Sequence, residues 1–292
     1  MELELKEVKH PIAVSQVEYD NLVGIEDQKD ALIGMLSFFF DKKKLSNWLK
    51  KHHKQELPFL KDITNGTPLI ILEGDVGCGK TALAHCAATP LAKKINARVI
   101  CFETPSNIRG GGRVGEISAR ITEAFSKAKG KLKDDDVGIF IIDEADDVAT
   151  DREQNQAHHE DKAGLNVLIK QIDAVAKEGK NLAVILITNR LKVLDPAVVR
   201  RASLVVNFSR PDKIARQKVF TAILAGTGAK ALDIEDLVKD SERADHPYSF
   251  SDLVQRIGRQ ALMRSILMDR AFDANMVKEV IEMVEPSPMI NK

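Results

Sequence analysis

The chain has 292 residues, 44% hydrophobic and 29% charged, with 17 Gly and 10 Pro. That composition excludes disordered and collagen-like chains and, at about 150 residues per domain, leaves room for two structural units. Lys plus Arg number 43 and Asp plus Glu 43, so no bulk field draws the protein to nucleic acid or an anionic membrane, and any basic patch is local. Cys78, Cys86 and Cys101 cannot all pair, MELELKEVKH lacks an apolar signal core, and no stretch approaches the roughly 18 apolar residues of a membrane span. A reducing, cytoplasmic setting is expected.

In chain order, Tyr19 to Phe40 reads as a loop followed by a helix, and the Lys-rich stretch to Lys61 as a solvated connection. Five apolar runs follow: PLIILE from Pro68, ARVICFE from Ala97, VGIFIID from Val137, LAVILIT from Leu182 and SLVVNF from Ser203. Rich in Ile, Val and Leu and without alternation, they are expected as parallel strands covered on both faces. Stretches of helical periodicity lie between them, such as ALAHCAATPLAKKI and EISARITEAFSKA. After Pro211 comparable strands cease and amphipathic stretches take over, including DKIARQKVFTAILA and FSDLVQRIGRQALMRSILMD. The expectation is an α/β fold with a five-stranded parallel sheet in residues 1–211, followed by a small all-helical domain in residues 212–292.

At Gly74 the chain reads GDVGCGKT, between an apolar strand and a helix-forming stretch, which satisfies GxxxxGK[ST] in the setting that motif requires. Across Asp75, Val76, Gly77, Cys78 and Gly79 the backbone can curl so that successive N–H groups face phosphate oxygens, while the following helix, opened by Lys80, Thr81 and Ala82, offers its positive end. Lys80 is expected at the β- and γ-phosphates of ATP and the Thr81 hydroxyl on Mg²⁺, a hard cation that prefers oxygen. Cys78 is read as a small side chain that the loop wants; the alternative is a thiol whose pKa is depressed by the helix terminus.

GIFIIDEAD places Asp143 and Glu144 at the carboxyl end of a buried strand, where ligands sit in open α/β sheets. Asp143 is expected to hold Mg²⁺, directly or through water, and Glu144 to orient the water that attacks the γ-phosphate. Beyond the next strand, Asn189 supplies an amide able to bond that phosphate or that water. LDPAVVRRAS then carries Arg200 and Arg201 near the end of a short helix. In a nucleotide hydrolase such arginines act as a finger on the transferring phosphoryl group. Gly110, Gly112 and Gly115 spell GxGxxG, but they stand too far from the preceding strand for a dinucleotide site.

The order of phosphate loop, DE pair, Asn and Arg resembles the AAA+ ATPase superfamily, from about Tyr19 to the C-terminal helices. The resemblance implies a three-layer α/β ATPase domain with a helical lid, assembled into a homo-oligomeric ring that is usually hexameric, with the arginine acting in trans on the neighbouring subunit's nucleotide. It implies that Val23 and Gly24, in DNLVGIEDQKDAL, pack on the adenine, and that Arg256 stands in for the lid's sensor arginine, Leu253 lying near the expected place. It also implies that TPSNIRGGGRVGEIS faces the central pore, with Ile108 and Arg109 as bulky grips on a translocated chain. Asp151 to Lys162 would form a second pore-facing loop, whose His158, His159, Glu160 and Asp161 lack the spacing of a metal site.

More narrowly, IIDEADDVATDRE, AGLNVLIKQIDAV and AVVRRASLVVNFSRP resemble the pachytene-checkpoint AAA+ family, which remodels HORMA-domain proteins. This implies ATP-driven partial unfolding of a HORMA-domain partner, and bacterial relatives accompany cyclic-nucleotide anti-phage signalling. The alternative is an AAA+ ATPase acting on nucleic acid, of the clamp-loader or initiator type, against which the neutral charge and 5% aromatic content argue.

Overall fold

The computed structural model describes residues 3–53, 57–60, 64, 66–105, 108, 115–133, 135–149, 159–178, 181–243 and 246–289, without the side chains of 159–162. Strand β1 (Lys6–His10) and helices α1 (Ala13–Asn21), α2 (Glu26–Phe40) and α3 (Lys42–His52) precede β2 (Leu69–Gly74), α4 (Lys80–Cys86) and α5 (Ala88–Ile95). Next come β3 (Val99–Glu103), α6 (Glu116–Lys131), β4 (Val137–Ile142), α7 (His159–Glu178), β5 (Leu182–Thr188), α8 (Pro196–Val199) and β6 (Leu204–Phe208). The remainder is helical: α9 (Lys213–Ile223), α10 (Ala231–Asp240), a π-helical stretch over Asp252–Gly258, α11 (Arg259–Leu267) and α12 (Ala274–Met283).

All five apolar runs are strands, β2 to β6, within a six-stranded sheet of order β1-β3-β4-β5-β2-β6. Strands β3 and β4, β4 and β5, and β5 and β2 pair in parallel, so their carboxyl ends share one edge of the sheet. A sixth strand, β1, joins antiparallel to β3, from Lys6 opposite Glu103 to His10 opposite Val99. The Lys-rich stretch read as a connection contains helix α3, capped where the Asp41 carboxylate accepts from Lys44 N at 2.9 Å. Among the described residues no helix is long and apolar enough to cross a membrane.

Contact density divides the chain into two compact units. The first comprises Met1–Tyr19, Gln28–Glu73 and Thr81–Asn207; the second comprises Asp20–Asp27, Gly74–Lys80 and Phe208–Lys292. In the first, every residue of β4 and β5 is buried, as expected of strands covered on both faces. Alternate strand residues, among them Ile71, Phe102, Phe140 and Leu186, pack with Phe125 of α6 and Leu168 and Ile172 of α7. Each such fully buried side chain contributes about 1.5–3 kcal/mol of hydrophobic free energy, and together they fix the strand ends that carry the acidic pair. In the second unit, Phe220, Leu237, Tyr248, Leu253, Met276 and Val280 form a separate core between helices. Asp212 and Asp273 cap α9 and α12 through bonds from Ala215 N and Met276 N, satisfying donors that a helix start leaves over.

Candidate active site

In the second unit, the turn after β2 carries the phosphate loop. Gly74 has φ +134°, and a Cβ there would lie 1.9 Å from Phe208 O, so backbone occupies the space that a side chain needs. The close approach is used: Asp75 N donates to that same carbonyl at 3.2 Å. Gly77, at φ +73°, lies against Ser249 and Ser251, whose atoms would stand 2.8 and 2.9 Å from its Cβ, and Ser251 N donates to Gly77 O at 2.9 Å. Only glycine meets both the dihedral and the contact. Lys80 is 5% exposed, its Nζ donating to Gly74 O at 2.9 Å and Asp75 O at 2.7 Å, which draws the ammonium over the loop. Among the described residues no acceptor takes the N–H of Gly77, Cys78 or Gly79. A concave run of unused donors beside a lysine suits a polyphosphate.

Cys78 is wholly buried, and burial, aided by the Asp75 carboxylate, pushes its thiol up to about 11. The packing reading therefore stands over the reactive one, because the thiolate is the nucleophile. Val23 packs against the helical core, and Gly24, at φ +83°, donates its N–H to Glu26 Oε1 at 2.9 Å. Leu253 is buried in that core, while Arg256 Nη1 donates to Asp252 Oδ1 at 2.7 Å.

In the first unit, the Thr81 hydroxyl donates to Asp143 Oδ2 at 2.9 Å. The phosphate-loop threonine and the acidic strand end, 62 residues apart, thus meet as a pair of oxygen ligands that fits a partly hydrated Mg²⁺. Glu144 follows with φ +51° and ψ +47°, a left-handed conformation that costs a non-glycine residue about 1 kcal/mol. Asp143 Oδ1 accepts from Glu144 N at 2.8 Å and helps hold that turn. At the end of β5, Thr188 Oγ1 donates to Asp146 Oδ1 at 3.0 Å and accepts from Arg190 N at 3.0 Å, while Arg190 Nη2 donates to Asp146 Oδ2 at 3.0 Å. These bonds close a turn around Asn189 and tie it to the strand end that carries Glu144.

The paired arginines differ. Arg201 is engaged within the chain, with Nε and Nη2 donating to the two Asp173 oxygens at 2.8 and 3.1 Å and Nη1 to Ala197 O at 2.9 Å. Arg200 is exposed and makes a 3.3 Å bond from Nε to Pro196 O. Ile108, expected as a bulky grip on a pore-facing loop, is instead 7% exposed and packed into the first unit's core, so its bulk anchors the segment and is not presented to a substrate. Arg109 lies outside the described residues, as do Asp151 to His158.

Arg210 and Asp252 were not anticipated as site residues. Arg210 is 8% exposed and its Nε donates to Asp75 Oδ2 at 2.6 Å. A lone arginine before a proline carries no sequence signal of a partner 135 residues away.

A glycine-rich loop with an attendant lysine, a threonine paired to a strand-end aspartate and a glutamate beside it define a nucleoside triphosphatase of the phosphate-loop class. Residues 70–210 match the ATPase family associated with various cellular activities (AAA), and this chain belongs to that AAA ATPase family. It binds nucleotide and hydrolyses ATP.

Among its relatives is CD-NTase-associated protein 6 of Escherichia coli strain KTE188, 35% identical over 272 residues, or 92% of this chain and 91% of that protein. The protein of the same name from E. coli strain MS 115-1 is 33% identical over 298 residues, covering 98% and 96% of the two chains. A chain of the E. coli MS115-1 HORMA:CdnC:Trip13 complex superposes with a TM-score of 0.91 at 32% identity, covering 99% of this chain and 97% of that one. Rhizobiales Trip13 gives a TM-score of 0.77 at 30% identity, covering 98% and 99%.

Proposed function

We propose that this ATPase works in the cytoplasm as a homo-oligomeric, hexameric ring that spends ATP on remodelling a HORMA-domain protein in cyclic-nucleotide anti-phage signalling. The observation that carries the reading is near full-length similarity, in sequence and in backbone, to a chain of a complex that contains HORMA and CdnC proteins. Residues 1–211 serve as the large nucleotide-binding domain and 212–292 as the lid.

In this reading Gly77, Cys78 and Gly79 receive phosphate oxygens on their N–H groups, and Lys80 turns from the loop carbonyls to the β- and γ-phosphates. Thr81 and Asp143 would hold Mg²⁺, which would supply positive charge against the phosphates. Glu144 accepts a hydrogen bond from the attacking water and aims it, its left-handed backbone setting the direction of the carboxylate. Asn189 reports on the γ-phosphate position. Arg200, exposed and without an acid partner among the described residues, is the finger supplied to the neighbouring subunit; Arg201 is committed to Asp173. Val23 and Gly24 flank the base, and Arg256 attends the nucleotide from the lid.

The test is steady-state ATP turnover with and without a purified HORMA-domain protein, and with single- or double-stranded DNA. Stimulation by the HORMA protein, with conversion of its closed form to an open one, is expected. Stimulation by DNA alone would overturn the protein-remodelling reading in favour of a nucleic-acid machine.

A further inference from the structure

The described residues hold a buried polar network that the hydrolysis chemistry does not use, and it begins on the phosphate loop. Arg210 Nε donates to Asp75 Oδ2 at 2.6 Å, its Nη1 to Pro247 O at 2.5 Å and Ser287 O at 2.8 Å, and its Nη2 to Pro288 O at 2.9 Å. The side chains of this ion pair are 3% and 9% exposed. A guanidinium taken out of water this far needs its donors met, and here four of the five are, by three backbone carbonyls from two separate segments and one carboxylate.

The segment after α12 is fastened a second time. Ser287 donates from N and Oγ to Asp252 Oδ2 at 3.2 and 2.7 Å. The same carboxylate oxygen accepts from Ser249 N and Oγ at 3.0 and 2.9 Å. Ser249 and Ser251 in turn touch Gly77. The phosphate loop is thereby held at Asp75 through Arg210, which runs back to Ser287, while Gly77 accepts from Ser251 N and lies against Ser249, whose partner Asp252 also accepts from Ser287.

We propose that Arg210 is a positioning residue of the nucleotide site, and that the segment around Ser287 and Pro288 is a strap through which it holds the phosphate loop ready for nucleotide. Arg210 touches no phosphate in this scheme. It fixes the Asp75 carboxylate, whose Oδ1 accepts from Val76 N at 2.9 Å and whose backbone carbonyl accepts from Lys80 Nζ. Freed from Arg210, Asp75 becomes a mobile anion one residue from the donors that must receive phosphate, so nucleotide binding suffers both in order and in charge. Lysine at this position keeps the charge on Asp75 but lacks the fork that reaches Pro247, Ser287 and Pro288 together.

The experiment measures KM and kcat for ATP, and the affinity of a fluorescent ADP analogue, in Arg210→Lys, Asp75→Asn, a chain ending at residue 284, and the combination of the last two. Arg210→Lys and the shortened chain should each raise KM and weaken analogue binding about tenfold while kcat changes less than threefold. The combination should be no weaker than its worse component, because both changes cut one connection. Affinities within twofold of the parent in Arg210→Lys and the shortened chain would overturn the proposal, as would losses that multiply in the combination or fall on kcat instead of KM. If the shortened chain does not fold, Arg210→Lys and its combination with Asp75→Asn, which remove no residues, decide by the same criteria.

Discussion

Exchanging Arg200 or Arg201 for alanine separates the finger role proposed for Arg200 from the ion pair that Arg201 makes with Asp173. Arg201→Ala removes a bidentate pair to Asp173, both side chains 34% exposed, and a bond to Ala197 O. A partly exposed pair of that kind is worth about 0.5–1 kcal/mol, which in a chain of this size lowers Tm by about 1–2 °C. Arg200→Ala removes an exposed side chain held by one long bond to Pro196 O, so its Tm should stay within about 1 °C of the parent. Turnover should fall the other way round. An arginine finger is worth about 10³–10⁵ in rate, so Arg200→Ala should lose about a thousandfold or more in kcat, and Arg201→Ala less than about tenfold.

Mixing gives the stricter measurement. Arg200→Ala subunits keep an intact phosphate loop, and Lys80→Ala subunits keep an intact Arg200. In a random equimolar mixture about one interface in four joins a working loop to a working finger, and about a quarter of parental turnover should return. No recovery in the mixture would refute action in trans, and an Arg201→Ala protein that is itself inactive and regains turnover on mixing with Lys80→Ala would refute the assignment.

Three further outcomes are expected. Glu144→Gln should bind a fluorescent ATP analogue within about threefold of the parent while hydrolysis falls at least about a hundredfold in single-turnover assays. Gly74→Ala should cost at least about 3 kcal/mol in urea unfolding, because its Cβ falls 1.9 Å from Phe208 O; Gly115→Ala, at φ +79° with nothing among the described residues within 4 Å of its Cβ, should cost about 1 kcal/mol. Burial alone would raise the Asp252 carboxyl, but hydrogen bonds from Arg256, Ser249 and Ser287 outweigh it and hold it down from 3.8 to about 2. Its stabilisation is therefore present above about pH 4 and lost as pH falls toward 2, and the stability gap between the parent and Asp252→Asn should close over that window in acid-unfolding curves.

The sheet and the chemistry at its edge were legible because both are written locally. Unbroken Ile, Val and Leu runs suit strands buried on two faces, as β4 and β5 are, whereas β6 alternates, with Val206 and Phe208 buried and Val205 and Asn207 exposed; GDVGCGKT and IIDEAD are each read within eight residues of chain. Strand β1 escaped because KEVKH is polar and mostly open to solvent, with only His10 buried; its partner, not its composition, makes it a strand. Helix α3 escaped because three lysines in its first turn oppose the helix dipole, and the local cap at Asp41 was read as part of a connection. Ile108 was misplaced because a bulky apolar residue in a glycine-rich loop fits a grip and an anchor equally well until its burial is known. The Arg210 tether lay furthest from view, since it joins residues 75, 247, 287 and 288 through backbone carbonyls that leave no mark on side-chain identity.

Strand β1 bears on how the protein survives at high concentration. Without it, β3 would end the sheet, and β3 reads VICFE, four apolar residues of strong strand propensity whose unpaired N–H and C=O groups would template a second chain. With β1 in place, the border is a short strand carrying Lys6 and Lys9, with Lys6 tied to Glu103 at 2.7 Å and Lys9 to Glu7 at 3.4 Å. Charges along a short border strand discourage the edge-to-edge pairing that leads to fibrils, and association is left to other surfaces. Five polar-looking residues near the start of the sequence thus act as a gatekeeper for one of the most aggregation-prone segments in the chain.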